Sequence, residues 1–189
     1  MTHKSVEEFS VKTLDVCGFQ PAEAAVRLPF GNKNAPGDSA PFEVATCETG
    51  WSYWMYTANL DLMSKLVKRG DEHAKVLRGV MVWCEINAPR YFYQELDRYR
   101  IGCECLSSES TMHMQGKGLN EDELVMMKER LLEGTMQKRI WVFSYQTLRR
   151  IYFQRRTHRL PQWRIFCEWI ERLPFAKQLI TIDGRDNKD

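Results

Sequence analysis

Hydrophobic positions along the chain fall into two periods, and these predict its elements. In EFSVKTLDVCGF the apolar candidates Val11, Leu14 and Val16 sit among polar residues in a strand-like alternation. VLRGVMVWCEI is dense in β-branched and aromatic residues and predicts a second strand. Helical spacing appears in WSYWMYTANLDLMSKLVKRG, where Leu60, Met63, Leu66 and Val67 line one side and Gly70 supplies a C-terminal stop. Pro89 favours the first turn of a helix that would carry RYFYQELDRYR to about Gly102. GLNEDELVMMKERLLEGT pairs Asn120 with Glu123 three residues on, a capping box, followed by an apolar face of Leu124, Met127, Leu131 and Leu132 and a stop at Gly134.

The last third reads as helical. Leu148, Ile151 and Tyr152 form a stripe in SYQTLRRIYFQRR. Pro161 then opens a helix in which Trp163, Phe166, Cys167 and Ile170 recur at i, i+3, i+4, i+7 until Pro174. The stretch LPFGNKNAPGDSAPFE is rich in Pro, Gly, Asn and Asp and reads as a loop. Repeats, low-complexity tracts and an interdomain linker are absent from the sequence. The expected fold is α+β: one domain over 1–189, with a small, mostly antiparallel sheet packed against several helices. An N-terminal strand and loop occupy 1–50, and a short tail occupies 181–189.

Composition narrows the class without naming a partner. A chain of 189 residues suits one domain with a proper core. Its 43% hydrophobic and 28% charged residues are ordinary for a soluble protein, and a formal charge of +2 selects no ligand by long-range field. Cysteines stand at 17, 47, 84, 103, 105 and 167 without C-x-x-C spacing, so no zinc site or other metal centre is expected. Cys103 and Cys105 would share a face only in a strand. The opening MTHKSVEEF lacks a signal-peptide pattern, and no apolar run nears the roughly 20 residues needed to cross a bilayer. Reduced thiols in the cytoplasm and no membrane association are the expectation.

Three clusters could carry chemistry. On a helix from Pro89, Glu95 and Arg98 share a face, and arginines at such a helix end can grip phosphate; the same pair could be a surface ion pair. In SSESTMH, the side chains of Ser108, Glu109, Ser110, Thr111 and His113 could hold a uracil edge or a sugar hydroxyl, or could form a helix-capping turn. No G-x-S-x-G elbow supports nucleophilic catalysis by them. In RRIYFQRRTHRLPQWR, Arg149, Arg150, Arg155, Arg156, Arg159, Arg164 and His158 lie among Tyr152, Phe153 and Trp163. Such a stretch could bind single-stranded nucleic acid, form an anion pocket for a nucleotide or dinucleotide, or be an arginine-rich helix face over core aromatics. There is no G-x-G-x-x-G and no Walker A loop.

Taken in order, these segments resemble the flavin-dependent thymidylate synthase (ThyX-type) family over about residues 60–172. In that family a strand and a proline-led helix run into R-H-R-x-x-S-x-N-E-x-S-x-R. Here Arg98-Tyr99-Arg100 takes the place of R-H-R, and Glu109, Thr111 and His113 match the acid, the serine and the final arginine after a spacer two residues longer. Downstream, Arg156, Gln162, Trp163 and Ile165 fall in register with the family's closing Leu-Arg and Ala-Gln-Trp-Glu-Ile, while Phe166 stands where an arginine is usual. Upstream His73 matches, with Lys75 and Arg78 in place of Thr and Glu.

The resemblance implies substrate contacts from Glu95, Arg98, Glu109, Ser110, Thr111, His113 and Arg156, and cofactor contacts from His73, Arg98, Tyr99, Arg100, Arg156 and Gln162. It names no catalytic residue. It implies FAD, with NADPH and a tetrahydrofolate one-carbon donor if the chain is active, a dUMP substrate methylated at C5, and a homotetramer with flavin sites at subunit interfaces. Tyr99 removes an imidazole that would titrate near neutrality, and His113 replaces a fixed cation. The alternative is a non-catalytic binder of nucleotides or single-stranded nucleic acid on the same fold.

Overall fold

The computed structural model describes residues 4–32 and 35–183. Of the sequence-predicted tail at 181–189, residues 184–189 lie outside the described part, as do residues 33 and 34 of the predicted loop. Four strands form one antiparallel sheet: β1 (Ser10–Cys17), β4 (Met81–Pro89), β6 (Met136–Ser144) and β5 (Cys103–Ser108), in the order β1-β4-β6-β5. A separate hairpin, β2 (Phe42–Thr46) with β3 (Ser52–Tyr56), stands apart from it.

Alternation along the strands decides which face is covered. Val82, Cys84 and Ile86 of β4 lie opposite Phe143, Trp141 and Arg139 of β6, and opposite Val16, Thr13 and Val11 of β1. These positions, Arg139 apart, are buried. Helices cover that face: α4 (Arg90–Leu96), α7 (Tyr145–Arg155) and α8 (Pro161–Glu171). Phe166 of α8 packs edge-on against Phe143, and the Trp169 indole donates to the Thr13 hydroxyl at 2.9 Å. Phe92 of α4 meets Trp163 at 4.5 Å between ring centroids. The opposite face carries Trp83, Glu85, Lys138, Ile140 and Val142, all only partly buried or exposed.

The other helices, α1 (Lys4–Glu7), α2 (Phe19–Arg27), α3 (Thr57–Lys68), α5 (Thr111–Gln115), α6 (Glu121–Glu129) and α9 (Ala176–Leu179), complete the chain. Phe19 at the start of α2 brings Tyr53, Tyr145 and Phe175 together by edge contacts. Nearly all the buried apolar residues, Cys47 and Cys167 apart, form one continuous core. No described helix is long and apolar enough to cross a membrane.

The α+β, single-domain expectation holds, with corrections in detail. A bulge between Thr13 and Asp15 turns Leu14 outward and places Thr13 in the core instead. Helix α3 starts only at Thr57, because the aromatic run Ser52–Tyr56 pairs with Phe42–Thr46 as a hairpin. Helix α4 stops at Leu96, so Arg98 lies past the helix and shares no helical face with Glu95. The last third is not wholly helical: β6 lies at its start. In α6 the predicted capping box forms, but the helix buries none of its residues, and Leu131 and Leu132 fall outside it.

Candidate functional site

The site is built where the chain leaves α4 and enters β5, along one side of α7. Ser144 caps α7, its hydroxyl accepting from the Thr147 amide at 3.2 Å. The 98–102 turn is fastened to this cap twice: the Ser144 amide donates to the Gly102 carbonyl at 2.7 Å, and the Thr147 hydroxyl donates to the Ile101 carbonyl at 2.7 Å. Gly102 has φ 72°, and a Cβ there would lie 2.6 Å from both the Ser144 and Thr147 hydroxyl oxygens. Only glycine permits this approach.

The turn and the helix enclose a cleft of 410 Å³ lined by Arg98, Tyr99, Arg100 and Ile101 on one side and Thr147, Arg150, Gln154 and Arg155 on the other. Thr147, Arg150 and Gln154 recur at i, i+3, i+7 and therefore project from one side of α7. Among the described residues, Arg98, Arg100 and Arg150 form no ion pair. Arg155, by contrast, is fully engaged. It donates to Glu95 at 2.6 Å and to the Tyr99 hydroxyl at 2.9 Å, and its guanidinium lies 4.6 Å from the Trp163 ring centroid. The Tyr99 hydroxyl donates in turn to Gln154 at 2.9 Å. Glu95 also accepts from the Trp163 indole at 3.1 Å and lies 3.5 Å from His158. Glu95 thus anchors the floor of the cleft by its contacts to α7 and α8.

A second depression of 480 Å³ shares Arg150 and Gln154 with the first and continues past Lys68, Arg69 and Asp71 to Asp183. Arg149 faces it, buried, with one terminal nitrogen donating to the carbonyls of Ile180 and Ile182 at 2.6 Å each. Burial lowers the pKa of Arg149, with Asp71 and Asp183 opposing the shift. Cys103 donates its thiol to the Tyr99 carbonyl at 2.8 Å. Burial pushes this thiol up to about 11 despite the Arg150 charge, so it stays protonated at neutral pH and offers no thiolate nucleophile. Among the described residues, no group of His, Cys, Asp and Glu could hold a metal ion.

The remaining predicted site residues lie elsewhere. The Glu109 carboxylate accepts from the Lys138 amide of β6 at 2.8 Å, just past the end of β5. Ser110 caps α5, accepting from the His113 amide at 3.3 Å. Thr111 is buried and accepts from the Lys128 ammonium. His113 is exposed and borders a separate depression with Met112 and Leu124. Arg156 lies 3.7 Å from Asp183 and stacks over Phe153. Gln162 is buried and donates to the Tyr91 hydroxyl at 2.6 Å, away from the cleft, and its carbonyl oxygen has no hydrogen-bond partner among the described residues. His73 is exposed beside Glu72, at 3.7 Å. The structure therefore gathers Arg98, Tyr99, Arg100 and, beneath them, Glu95, but not the 109–113 turn. Arg150, Gln154 and Thr147 complete the cleft, and their helical spacing was the signal available for them.

Among solved structures, the chain is similar to thymidylate synthase X (ThyX) of Helicobacter pylori with FAD and dUMP, at 15% identity and a TM-score of 0.64, covering 92% of this chain and 97% of that one. A second structure, the flavin-dependent thymidylate synthase ThyX of Helicobacter pylori complexed with FAD and dUMP, gives 16% identity and a TM-score of 0.63, covering 91% and 98%. At such identity the likeness establishes the fold. The chain folds like ThyX. No family model and no curated protein sequence matches it.

Proposed function

We propose that the chain is a divergent ThyX-like protein that binds a nucleotide at the Arg98–Arg100–Arg150 cleft and acts on C5 of dUMP with reduced FAD and a folate-type one-carbon donor, NADPH supplying the reductant. One observation supports this reading: three guanidiniums that have no acidic partner among the described residues line one cleft, on a fold shared with structures that hold FAD and dUMP. Guanidinium forks match phosphate oxygens, and their charge is otherwise uncompensated there. The phosphate-bearing part of a flavin dinucleotide fits this donor set. Arg98 and Arg100 would hold phosphate, with Arg150 opposite, and Tyr99 would wall the ring side. When bound, the flavin supplies the hydride.

The substrate-gripping roles of Glu109, Ser110, Thr111 and His113 require a second copy of the chain, since they do not face the cleft of their own. A homo-oligomer, a tetramer by resemblance, would provide it. The half-open sheet face bearing Trp83, Ile140 and Val142 supports such an assembly. Arg156, His73 and Gln162 would contribute from outside the cleft. A second reading is a non-catalytic binder of nucleotides or single strands. It is favoured by the continuation of cationic surface from Arg150 to Lys68 and Arg69.

Absorption spectra decide between them. Purified protein with added FAD should show a shifted flavin band that dUMP alters, and Arg98→Ala should weaken nucleotide binding at least tenfold while leaving thermal stability within a degree or two. A protein indifferent to FAD, yet binding single strands with a steep salt dependence, sinks the enzyme reading. Light scattering after gel filtration tests the oligomer.

A further inference from the structure

The hydrogen bonds in the wall of the arginine cleft fix what it has left to offer a ligand. Among the residues lining it, Arg98, Arg100, Arg150 and Arg155 can only donate, and no lining side chain is acidic. Three side-chain oxygens remain as acceptors: the Tyr99 phenol, the Thr147 hydroxyl and the Gln154 carbonyl. Each is already engaged within the fold. Arg155 donates through Nε to the Tyr99 oxygen at 2.9 Å. A guanidinium has no acceptor to give back, so the phenol proton goes the other way, to the Gln154 carbonyl at 2.9 Å. Thr147 places its own proton on the Ile101 carbonyl at 2.7 Å. Across the 3.0 Å contact of the two hydroxyls, Ser144 is therefore the donor and Thr147 the acceptor.

The direction of this chain sets the Gln154 amide. With its oxygen held by Tyr99, the NH₂ group is the end left over, and it has no partner among the described residues. Turning the amide round would aim two donors at one phenol oxygen and leave the phenol proton without an acceptor among the described residues. The unspent side-chain groups of the wall are thus all donors: the guanidiniums of Arg98, Arg100 and Arg150, and the Gln154 amide. Such a wall pairs with ligand oxygens that carry no proton. An oxygen that still bears one meets no free side-chain acceptor there and must turn its proton to water or leave it unpaired.

We infer, resting on the reading of this cleft as a phosphate site, that Gln154 is its specificity-determining residue. Fixed as a donor by Tyr99, it selects a fully deprotonated oxyanion, such as the internal diphosphate of a dinucleotide, over one that keeps a proton. Sulfate and phosphate are charge-matched probes: in mildly alkaline buffer both are tetrahedral dianions, and only phosphate retains a proton. In NMR titrations of the full chain at constant ionic strength, sulfate should bind at least threefold more tightly than phosphate, and Arg98→Ala should weaken both. Gln154→Glu puts an acceptor where the amide donated. It should weaken both anions and reverse their order, because the added charge repels two dianions alike while only phosphate can donate to it. Tyr99→Phe frees the amide to turn, and should bring the two affinities to within about twofold of each other. Equal binding or a preference for phosphate in the native chain, or an order that Gln154→Glu leaves unreversed, overturns the inference while the phosphate site stands. Failure of both anions to bind, or binding that Arg98→Ala leaves untouched, overturns the phosphate site and the inference with it. Gln154 is exposed and both replacements keep the shape of the side chain, so the variants should fold.

Discussion

Two neighbouring regions of the molecule treat their polar residues in opposite ways. At the α4–β5 turn the supporting groups are satisfied first. Glu95, Tyr99, Arg155 and Gln154 bond to one another, and Gly102 locks the turn to the cap of α7. Arg98, Arg100 and Arg150 are left over, exposed at the cleft and, among the described residues, without acidic partners. In the 109–133 connection nothing of the kind is left over among the candidate residues Glu109, Ser110 and Thr111. Glu109 continues the β5–β6 pairing past the end of β5, Ser110 caps a helix, and Thr111 takes the Lys128 ammonium. Among its charged residues that connection also exposes apolar side chains: Met112, Met114, Val125, Met126 and Leu132. A functional polar site is marked by groups the fold positions and does not use. By that measure the first region is the one proposed to bind a ligand, and in the second the same candidate groups serve local packing.

The comparison can be broken most severely at Glu95. Glu95→Ala strands the Arg155 guanidinium and the Trp163 indole together, and should cost about 2–3 kcal/mol in urea unfolding, moderated by the partial exposure of the pair. Nucleotide binding should fall with it, because Arg155 then loses the anchor that keeps Tyr99 and Gln154 in place. A loss of binding with full stability would show instead that Glu95 touches the ligand directly.

Gly102→Ala comes next. A side chain at φ 72° that also meets two hydroxyls should cost about 1–3 kcal/mol and lift the 98–102 turn from α7. The sharper consequence is functional: nucleotide affinity should drop at least tenfold in the folded variant, measured by titration below its melting temperature. Unchanged affinity would mean that Arg150 and its helix bind without the turn.

How much of this contrast was legible beforehand depends on which interactions are local. The β4 strand, the Asn120 cap and the stripe Trp163, Phe166, Ile170 rest on spacing within a dozen residues, and the sequence states them directly. The aromatic run Ser52–Tyr56 shares a segment with helical spacing, but its strand character comes from pairing with Phe42–Thr46, which no local period reveals. Strand β6 was unread for a related reason: MQKRIWVFS gains its place between β4 and β5 only through long-range partners. The arginines at 98 and 100 are legible by type as candidates for gripping phosphate. Which arginines remain free was not, since Arg149 is consumed by two carbonyls and Arg155 by Glu95, while Arg150 between them stays open.

The mildest test probes the other side of the comparison. Asn120 and Glu123 close a reciprocal cap, each side chain accepting from the other's amide at 3.0 Å, yet the helix they start buries nothing. Asn120→Ala should therefore cost about 1 kcal/mol of helix stability. The loss should appear as faster amide exchange over Glu121–Glu129, with little movement of the global unfolding midpoint, because a helix without a buried face is only weakly coupled to the core. Nucleotide binding in the isolated chain should not change. If α6 is instead covered by another copy, the same substitution will lower the assembly's stability in a concentration-dependent way, since packing at an interface couples the cap to the whole. Exchange that stays local at every protein concentration would leave α6 outside any interface.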